Sequence, residues 1–186
     1  GSISNLSDAR YAAGMGVDML GFCFDEAMAD FISIEKFKEI AGWVSVPHVV
    51  AEFGDMNTTA ILEIVKRESF EFVELNLSTA LQLNDISDFK LLVRLSVEDV
   101  QQLEQLDKLK PHIGYLIITR ELLPHMQQLN TIAKVLLHAD TDHDALNNIL
   151  VQHKLDGVAL AGSQESKAGF KDYDHLARVL EILEEE

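Results

Sequence analysis

The chain has 186 residues, 47% of them hydrophobic, and its 31 acidic and 15 basic residues give a net charge of −16 at pH 7. This is enough for one domain over residues 1–186 whose core buries roughly 70% of the unfolded surface. The charge disfavours nucleic acid and anionic membranes as partners. The lone cysteine, Cys23, excludes an intramolecular disulfide. Because the sequence has no apolar run of about 20 residues and no apolar leader before Ile3, we expect no membrane span and a cytoplasmic protein.

The first 24 residues predict a helix, a turn and a buried strand. Asn5 is an N-cap type with Asp8 in the first turn behind it, and Gly14 and Gly16 end the helix. Residues 17–24 form a nearly continuous apolar run of strand length. Such a run is typical of a parallel strand that is covered on both faces.

The same unit then recurs to the end of the chain. We predict further strands over residues 47–53, 70–76, 89–95, 112–119, 135–139 and 155–161. The intervening and final helices are predicted over residues 33–43, 58–67, a short stretch near 78, a segment from 96, and residues 120–134, 142–154 and 173–183. Strict alternation predicts a parallel sheet, either a closed (β/α)8 TIM barrel or an open doubly wound sheet. Eight helices with seven strands favour a compact barrel with short loops.

Three charged residues interrupt the apolar strands: Glu52, Glu74 and Arg94. A charge inside a strand must face a solvated mouth or be paired, since burying it alone costs several kcal/mol. We therefore predict a Glu74–Arg94 pair, or a place for both residues in a remodelled pocket. His138, Asp140, Asp142 and His143 lie close together but match no metal-ligand spacing, so we predict neither a metal site nor a cofactor.

Three segments together resemble the phosphoribosylanthranilate isomerase family of tryptophan biosynthesis. They are Ile3-Ser-Asn-Leu-Ser-Asp-Ala-Arg10 with Gly16-Val-Asp-Met-Leu-Gly-Phe-Cys-Phe24, then Val73-Glu-Leu-Asn76, and finally Gly162-Ser-Gln-Glu-Ser-Lys-Ala-Gly-Phe-Lys-Asp172. The resemblance implies the family's (β/α)8 barrel. It also implies that strand 1, which precedes the opening helix in the family, is truncated or missing from this sequence.

The family's chemistry is an Amadori rearrangement of a ribose phosphate, which needs a general acid and a general base at strand carboxyl ends. The resemblance places the family's base at Gly1 and its acid at Ile118, and neither side chain can transfer a proton. It places an arginine that holds the substrate's anionic groups at Asp30, and the strand-4 histidine at Asn76. Larger side chains replace the glycines of two phosphate-binding loops.

Part of a ligand site nevertheless remains. Gly162 and Ser163 are suited to an anion-accepting turn, as an alternative to a plain strand-to-helix turn. The ligand-binding candidates are therefore Asp30, Asn76, Arg94, Gly162 and Ser163. The expected ligand is a phosphorylated small molecule.

Three hypotheses follow. The chain is a family barrel that has lost isomerase activity, or an active isomerase whose base precedes the sequence given, since Gly1-Ser2 is a common remnant of tag removal. The third is another small-molecule enzyme on the same barrel, using Asp30, Glu52, Glu74, Asn76 or Arg94. An unfilled barrel gap would expose two strand edges, which makes a homo-oligomer one expected state.

Overall fold

The computed structural model describes residues 3–45, 48–139, 146–160 and 177–180. Seven strands and seven α-helices have defined bounds in this part of the chain, together with two 3-10 helices, Val97–Gln105 and Arg120–His125. The α-helices are α1 (Leu6–Gly14), α2 (Ile34–Ala41), α3 (Thr58–Glu68), α4 (Leu77–Ala80), α5 (Leu106–Leu109), α6 (Met126–Leu129) and α7 (Leu146–His153). The strands are β1 (Met19–Cys23), β2 (His48–Glu52), β3 (Phe72–Asn76), β4 (Lys90–Arg94), β5 (Ile113–Ile118), β6 (Lys134–Ala139) and β7 (Gly157–Leu160).

All seven strands form one parallel sheet in the order β1-β2-β3-β4-β5-β6-β7. Each strand therefore pairs with the strand that follows it in the chain, which is the order of a (β/α)8 barrel. On the other edge of β1, the Ile3 N–H donates a hydrogen bond of 3.0 Å to the Gly21 carbonyl. The predicted parallel α/β fold is confirmed, with seven strands that form a half-barrel.

Side chains alternate between two faces of the sheet. One face packs against the helices in a large apolar core that includes Val73, Leu91 and Leu116. The opposite face, which we call the inner face, holds a smaller cluster of Val50, Phe72, Leu92 and Ile117. Because the inner face is apolar at these positions, its polar side chains lie mainly at the strand ends, with Glu74, the central residue of β3, as the exception.

An aromatic cluster fixes α2 against the sheet. The Phe37 ring lies 5.1 Å from that of Phe22 and 5.5 Å from that of Phe24, and Phe24 lies 5.1 Å from Phe70. Edge-to-face and tilted contacts at these distances add to the burial of the rings themselves. The loop between β1 and α2 is thereby anchored at both ends.

The predicted cap at Asn5 is confirmed, and two further helices are capped by Ser33 and Asn57. Asn5 Oδ1 accepts from the Asp8 N–H at 2.9 Å, Ser33 Oγ accepts from the Lys36 N–H at 3.2 Å, and Asn57 Oδ1 accepts from the Thr59 N–H at 2.9 Å. Gly16 has a φ of +74°, a conformation that glycine adopts without strain, and it follows the end of α1. These contacts satisfy helix-terminal N–H groups that would otherwise lack partners.

The helix predicted from residue 96 is confirmed, and the helix predicted over residues 120–134 was wrong in extent. The segment from residue 96 begins as a 3-10 helix, and the segment from residue 120 is a 3-10 helix that precedes the short α6, while Lys134 already belongs to β6. Pro124 lies inside this second 3-10 helix and has no N–H to donate, which prevents a continuous α-helix there. Several predictions fall outside the described residues: those for Gly1, Gly162, Ser163 and Asp140, and most of the last helix. No helix in the described segments has the length and apolar character required to cross a bilayer.

The helix-facing core makes a direct prediction about stability. Leu116 is fully buried there, so Leu116→Ala is expected to lower the free energy of unfolding by about 2–5 kcal/mol. Val97 is 53% exposed, so the control Val97→Ala should change it by less than about 0.5 kcal/mol. Urea denaturation measures both, and equal effects would contradict the core assignment.

Candidate functional site

The inner face becomes polar at the carboxyl ends of the strands. Following the alternation from the inner-face cluster, the strand-end side chains on this face belong to six residues, which we call the strand-end mouth: Cys23, Glu52, Glu74, Asn76, Arg94 and His138. Register places Cys23 opposite Glu52, Glu52 opposite Glu74, and Asn76 opposite Arg94. Parallel strands bring their carboxyl ends to one edge, where (β/α)8 proteins place their sites.

The predicted Glu74–Arg94 ion pair is confirmed. Arg94 Nε and Nη2 both donate to Glu74 Oε1, at 2.8 Å and 2.6 Å. The Glu74 side chain is only 13% exposed, whereas that of Arg94 is 40% exposed. Because the guanidinium charge is matched by a neighbouring carboxylate, Arg94 is poorly suited to hold an additional anion.

Asn76 serves the local structure. Its Oδ1 accepts from the Thr79 N–H at 2.7 Å and from the Ser78 hydroxyl at 2.8 Å, which caps α4. Its Nδ2 donates to Asp55 Oδ1 at 2.8 Å and so ties β3 to the loop after β2. The amide therefore has partners on both of its polar atoms.

Cys23 lies in the strand-end mouth although it was not among the candidate residues indicated by the sequence. Its thiol is buried, and its Sγ lies 3.9 Å from the Asp25 carbonyl oxygen. Burial, together with the carboxylates of Asp30, Glu52 and Asp25, raises the pKa of the thiol from 9.0 to about 11, despite an opposing backbone hydrogen bond from Asp25. At neutral pH the thiol is therefore protonated. Counting alternate positions back from the end of β1 would have indicated its inward placement.

The other candidate residues lie outside the strand-end mouth or outside the described part of the chain. Asp30 is half-buried in the loop before α2, close enough to the Cys23 thiol to contribute to its raised pKa. Ile118 is fully buried in the helix-facing core, so its side chain lies on the face opposite the strand-end mouth. Gly1, Gly162 and Ser163 belong to the parts of the chain that the structure leaves undescribed.

Across residues 3–45, 48–139, 146–160 and 177–180, no group of three or more His, Cys, Asp or Glu side chains has an arrangement that could hold a metal ion. The pKa of Cys23 also opposes metal binding, since a thiol must lose its proton to become a ligand.

Comparison with solved structures assigns the class of fold. A phosphoribosylanthranilate isomerase solved in complex with reduced 1-(o-carboxyphenylamino)-1-deoxyribulose 5-phosphate aligns with a TM-score of 0.76 at 16% identity, over 100% of this chain and 96% of that one. The isomerase from Thermotoga maritima gives 0.76 at 16% identity over 100% and 97%. That from Thermus thermophilus gives 0.75 at 16% identity over 99% and 96%. No family model and no curated protein matches the sequence.

The chain is therefore a parallel α/β protein of the (β/α)8 class. Within that class, it has the fold of phosphoribosylanthranilate isomerase, as the resemblance in its opening segment predicted.

The buried thiol predicts a specific pH dependence of stability. A folded-state pKa near 11, above the usual 9.0, means that the unfolded chain loses the Cys23 proton first. The contribution to the free energy of unfolding is complete below pH 9 and is lost as the pH rises from 9 towards 11. Cys23→Ala removes this contribution. Urea unfolding of both proteins across that range should show a steeper fall for the wild type, and parallel curves would contradict the assignment.

A double-mutant cycle tests the ion pair. Arg94→Met leaves the mostly buried Glu74 carboxylate without its main partner, so we expect a loss of about 1–3 kcal/mol in the free energy of unfolding. Glu74→Gln combined with Arg94→Met should lose less than the sum of the two single changes, because no unpaired charge is left behind. Strict additivity in chemical denaturation would show that the pair has no coupling energy.

Proposed function

We propose that this chain is a divergent member of the phosphoribosylanthranilate isomerase family that does not catalyse the isomerisation. The observation that carries the proposal is the state of two side chains in the strand-end mouth. The Cys23 thiol is protonated, and the Arg94 guanidinium is paired with the Glu74 carboxylate. The 11–17% identities to the solved isomerases fit such divergence. The reaction requires groups that gain and lose protons near neutral pH.

The position of the general base lacks a suitable group. The family's base falls on Gly1, which has no side chain. Cys23 is the only cysteine in the sequence, but its pKa of about 11 keeps it protonated at neutral pH. A thiol in that state is a poor base.

The position of the general acid is also unsuitable. Ile118 is apolar and faces the helices. The next residue, Thr119, donates its hydroxyl to the Glu121 carboxylate and lowers the pKa of that carboxyl. A threonine hydroxyl does not ionise near neutral pH. The end of β5 therefore offers no proton donor to a reacting sugar.

The electrostatics of the mouth oppose an anionic substrate. Asp25, Asp30 and Glu52 all act on the Cys23 thiol, and each raises its pKa through negative charge. A phosphorylated, carboxylate-bearing substrate would meet this same field. Asp30 stands where the family has an arginine, so the change there reverses the sign of the interaction with an anion.

A binding or partner role on the same barrel fits these features, and another small-molecule enzyme on that barrel is the alternative. Binding of a phosphorylated small molecule would then depend on the turn at Gly162 and Ser163, with little help from the strand-end mouth. A homo-oligomer is compatible with this role, as one of the similar structures is of an isomerase described as dimeric. These two points, and the cytoplasmic location, stay predictions.

Isomerase turnover tests the proposal. The full natural coding sequence, including whatever precedes Ile3, is assayed with freshly generated phosphoribosylanthranilate beside the Thermotoga maritima isomerase. Loss of a general acid and a general base removes about 10²–10⁴-fold each, so we expect turnover at least about 10⁴-fold below the reference enzyme.

Turnover within about 100-fold of the reference enzyme would contradict the proposal and favour the active isomerase. In that event, Cys23→Ser and Asp30→Asn separate the sources of activity: a lower kcat assigns chemistry to the thiol, and an altered KM assigns binding to the carboxylate.

A further inference from the structure

The loop between β1 and α2 closes on itself at the end of β1. Residues 25–31, which we call the β1 strap, leave the strand directly after Phe24 and return to it at once. Phe31 forms a parallel bridge with Cys23, and the Ile32 N–H donates to the Cys23 carbonyl at 2.9 Å. The strap therefore begins and ends beside the buried thiol.

Two consecutive turns give the strap a defined shape. Asp25 Oδ1 accepts from the Ala27 N–H at 3.0 Å, and the Asp25 carbonyl accepts from the Met28 N–H at 3.0 Å. The Phe31 N–H then donates to the Met28 carbonyl at 3.2 Å. An aspartate that bonds the N–H two residues ahead is a common way to initiate such a turn.

The strap is seated on Gly54, in the loop after β2. A Cβ at Gly54 would lie 2.8 Å from Asp25 Oδ2 and 3.2 Å from Met28 Sδ, so a larger residue must push the ends of these two strap side chains aside. Asp25 is buried at this contact, while Met28 on the outside is 47% exposed. The absence of a side chain at residue 54 is what allows the close approach.

A strand-end side chain on the inner face of a barrel ordinarily faces the open mouth, yet Cys23 is only 3% exposed. The covering group recorded at the thiol is the strap's first residue, through the Asp25 carbonyl. We propose that the β1 strap is a closing device over the β1–β2 corner of the strand-end mouth, with Gly54 as its seat. A ligand reaches Cys23 and Glu52 only when the strap lifts from Gly54.

The thiol itself reports the opening, because it is the only cysteine in the chain. Methyl and benzyl methanethiosulfonate are neutral and react with a thiolate by the same chemistry, forming a mixed disulfide and releasing methanesulfinate. The pKa of Cys23 affects both rate constants equally, so the ratio of the methyl to the benzyl rate constant isolates steric access. In the wild type this ratio should exceed that of free cysteine by about tenfold or more.

Gly54→Ala is the decisive variant. The added Cβ should push the Asp25 carboxylate out of the position in which it holds the first turn and so loosen the strap. We expect the benzyl rate constant to rise by about tenfold to a hundredfold and the ratio to move towards that of free cysteine. Gly14→Ala is the matched control, since a Cβ there meets no atom within 4 Å. Its ratio should equal the wild-type value. A Gly54→Ala protein with an intact circular dichroism spectrum and a wild-type ratio would overturn the proposal.

A second pair of variants keeps the test valid if Gly54→Ala fails to fold. Asp25→Ala removes the side-chain acceptor of the first turn, so the ratio should again fall towards that of free cysteine. Asp25→Asn retains an acceptor of the same shape without the charge, so its ratio should stay at the wild-type value. Equal ratios in both variants would overturn the strap. The result is independent of the isomerase assay, because it measures access to the thiol and not turnover.

Discussion

Helices pack against one face of the parallel sheet, and apolar side chains cluster on the other. Such a sheet leaves few places for a polar side chain. In this protein the helix-facing core runs the length of the strands, and the inner face is apolar at Val50, Phe72, Leu92 and Ile117. Charged residues on the inner face therefore lie mainly at the strand ends, and Glu74, in the middle of β3, is paired with Arg94. The location of the candidate site, the pairing of Glu74 with Arg94 and the burial of Cys23 all follow from this restriction.

As a result, the residues that define the fold differ from those that determine its chemistry. The core that defines the barrel consists of apolar residues whose identity can vary as long as volume and alternation are kept, which fits fold retention at 16% identity. A site depends instead on a handful of strand-end side chains. Substitution at a position such as Asp30 reverses an interaction with an anion without affecting the core, so a barrel can retain its architecture while its activity changes.

The sequence predicted the larger part of the fold because apolar runs and capping residues are local signals. Asn5 was recognised as a cap, and the charges inside two apolar strands were enough to predict the Glu74–Arg94 contact. The orientation of Ile118 towards the helices was not predicted. The resemblance identified the end of a strand but not which of its side chains face the helices, and a shift of one residue moves a side chain to the opposite face. The raised pKa of Cys23 was not predicted because it depends on carboxylates brought together from one loop and the neighbouring strand. The seat at Gly54 depends on a contact between separate loops, for which the sequence carries no local signal.

The central claim is that the strand-end mouth, with its neutral thiol and its paired arginine, does not bind the family's anionic ligand. Calorimetric titration with reduced 1-(o-carboxyphenylamino)-1-deoxyribulose 5-phosphate, the compound bound in one of the similar structures, tests this most directly. The account predicts no saturable heat up to millimolar ligand, a free energy of binding weaker than about −4 kcal/mol. Saturable binding at micromolar concentration, weakened by Arg94→Met but not by the exposed Val97→Ala, would contradict it.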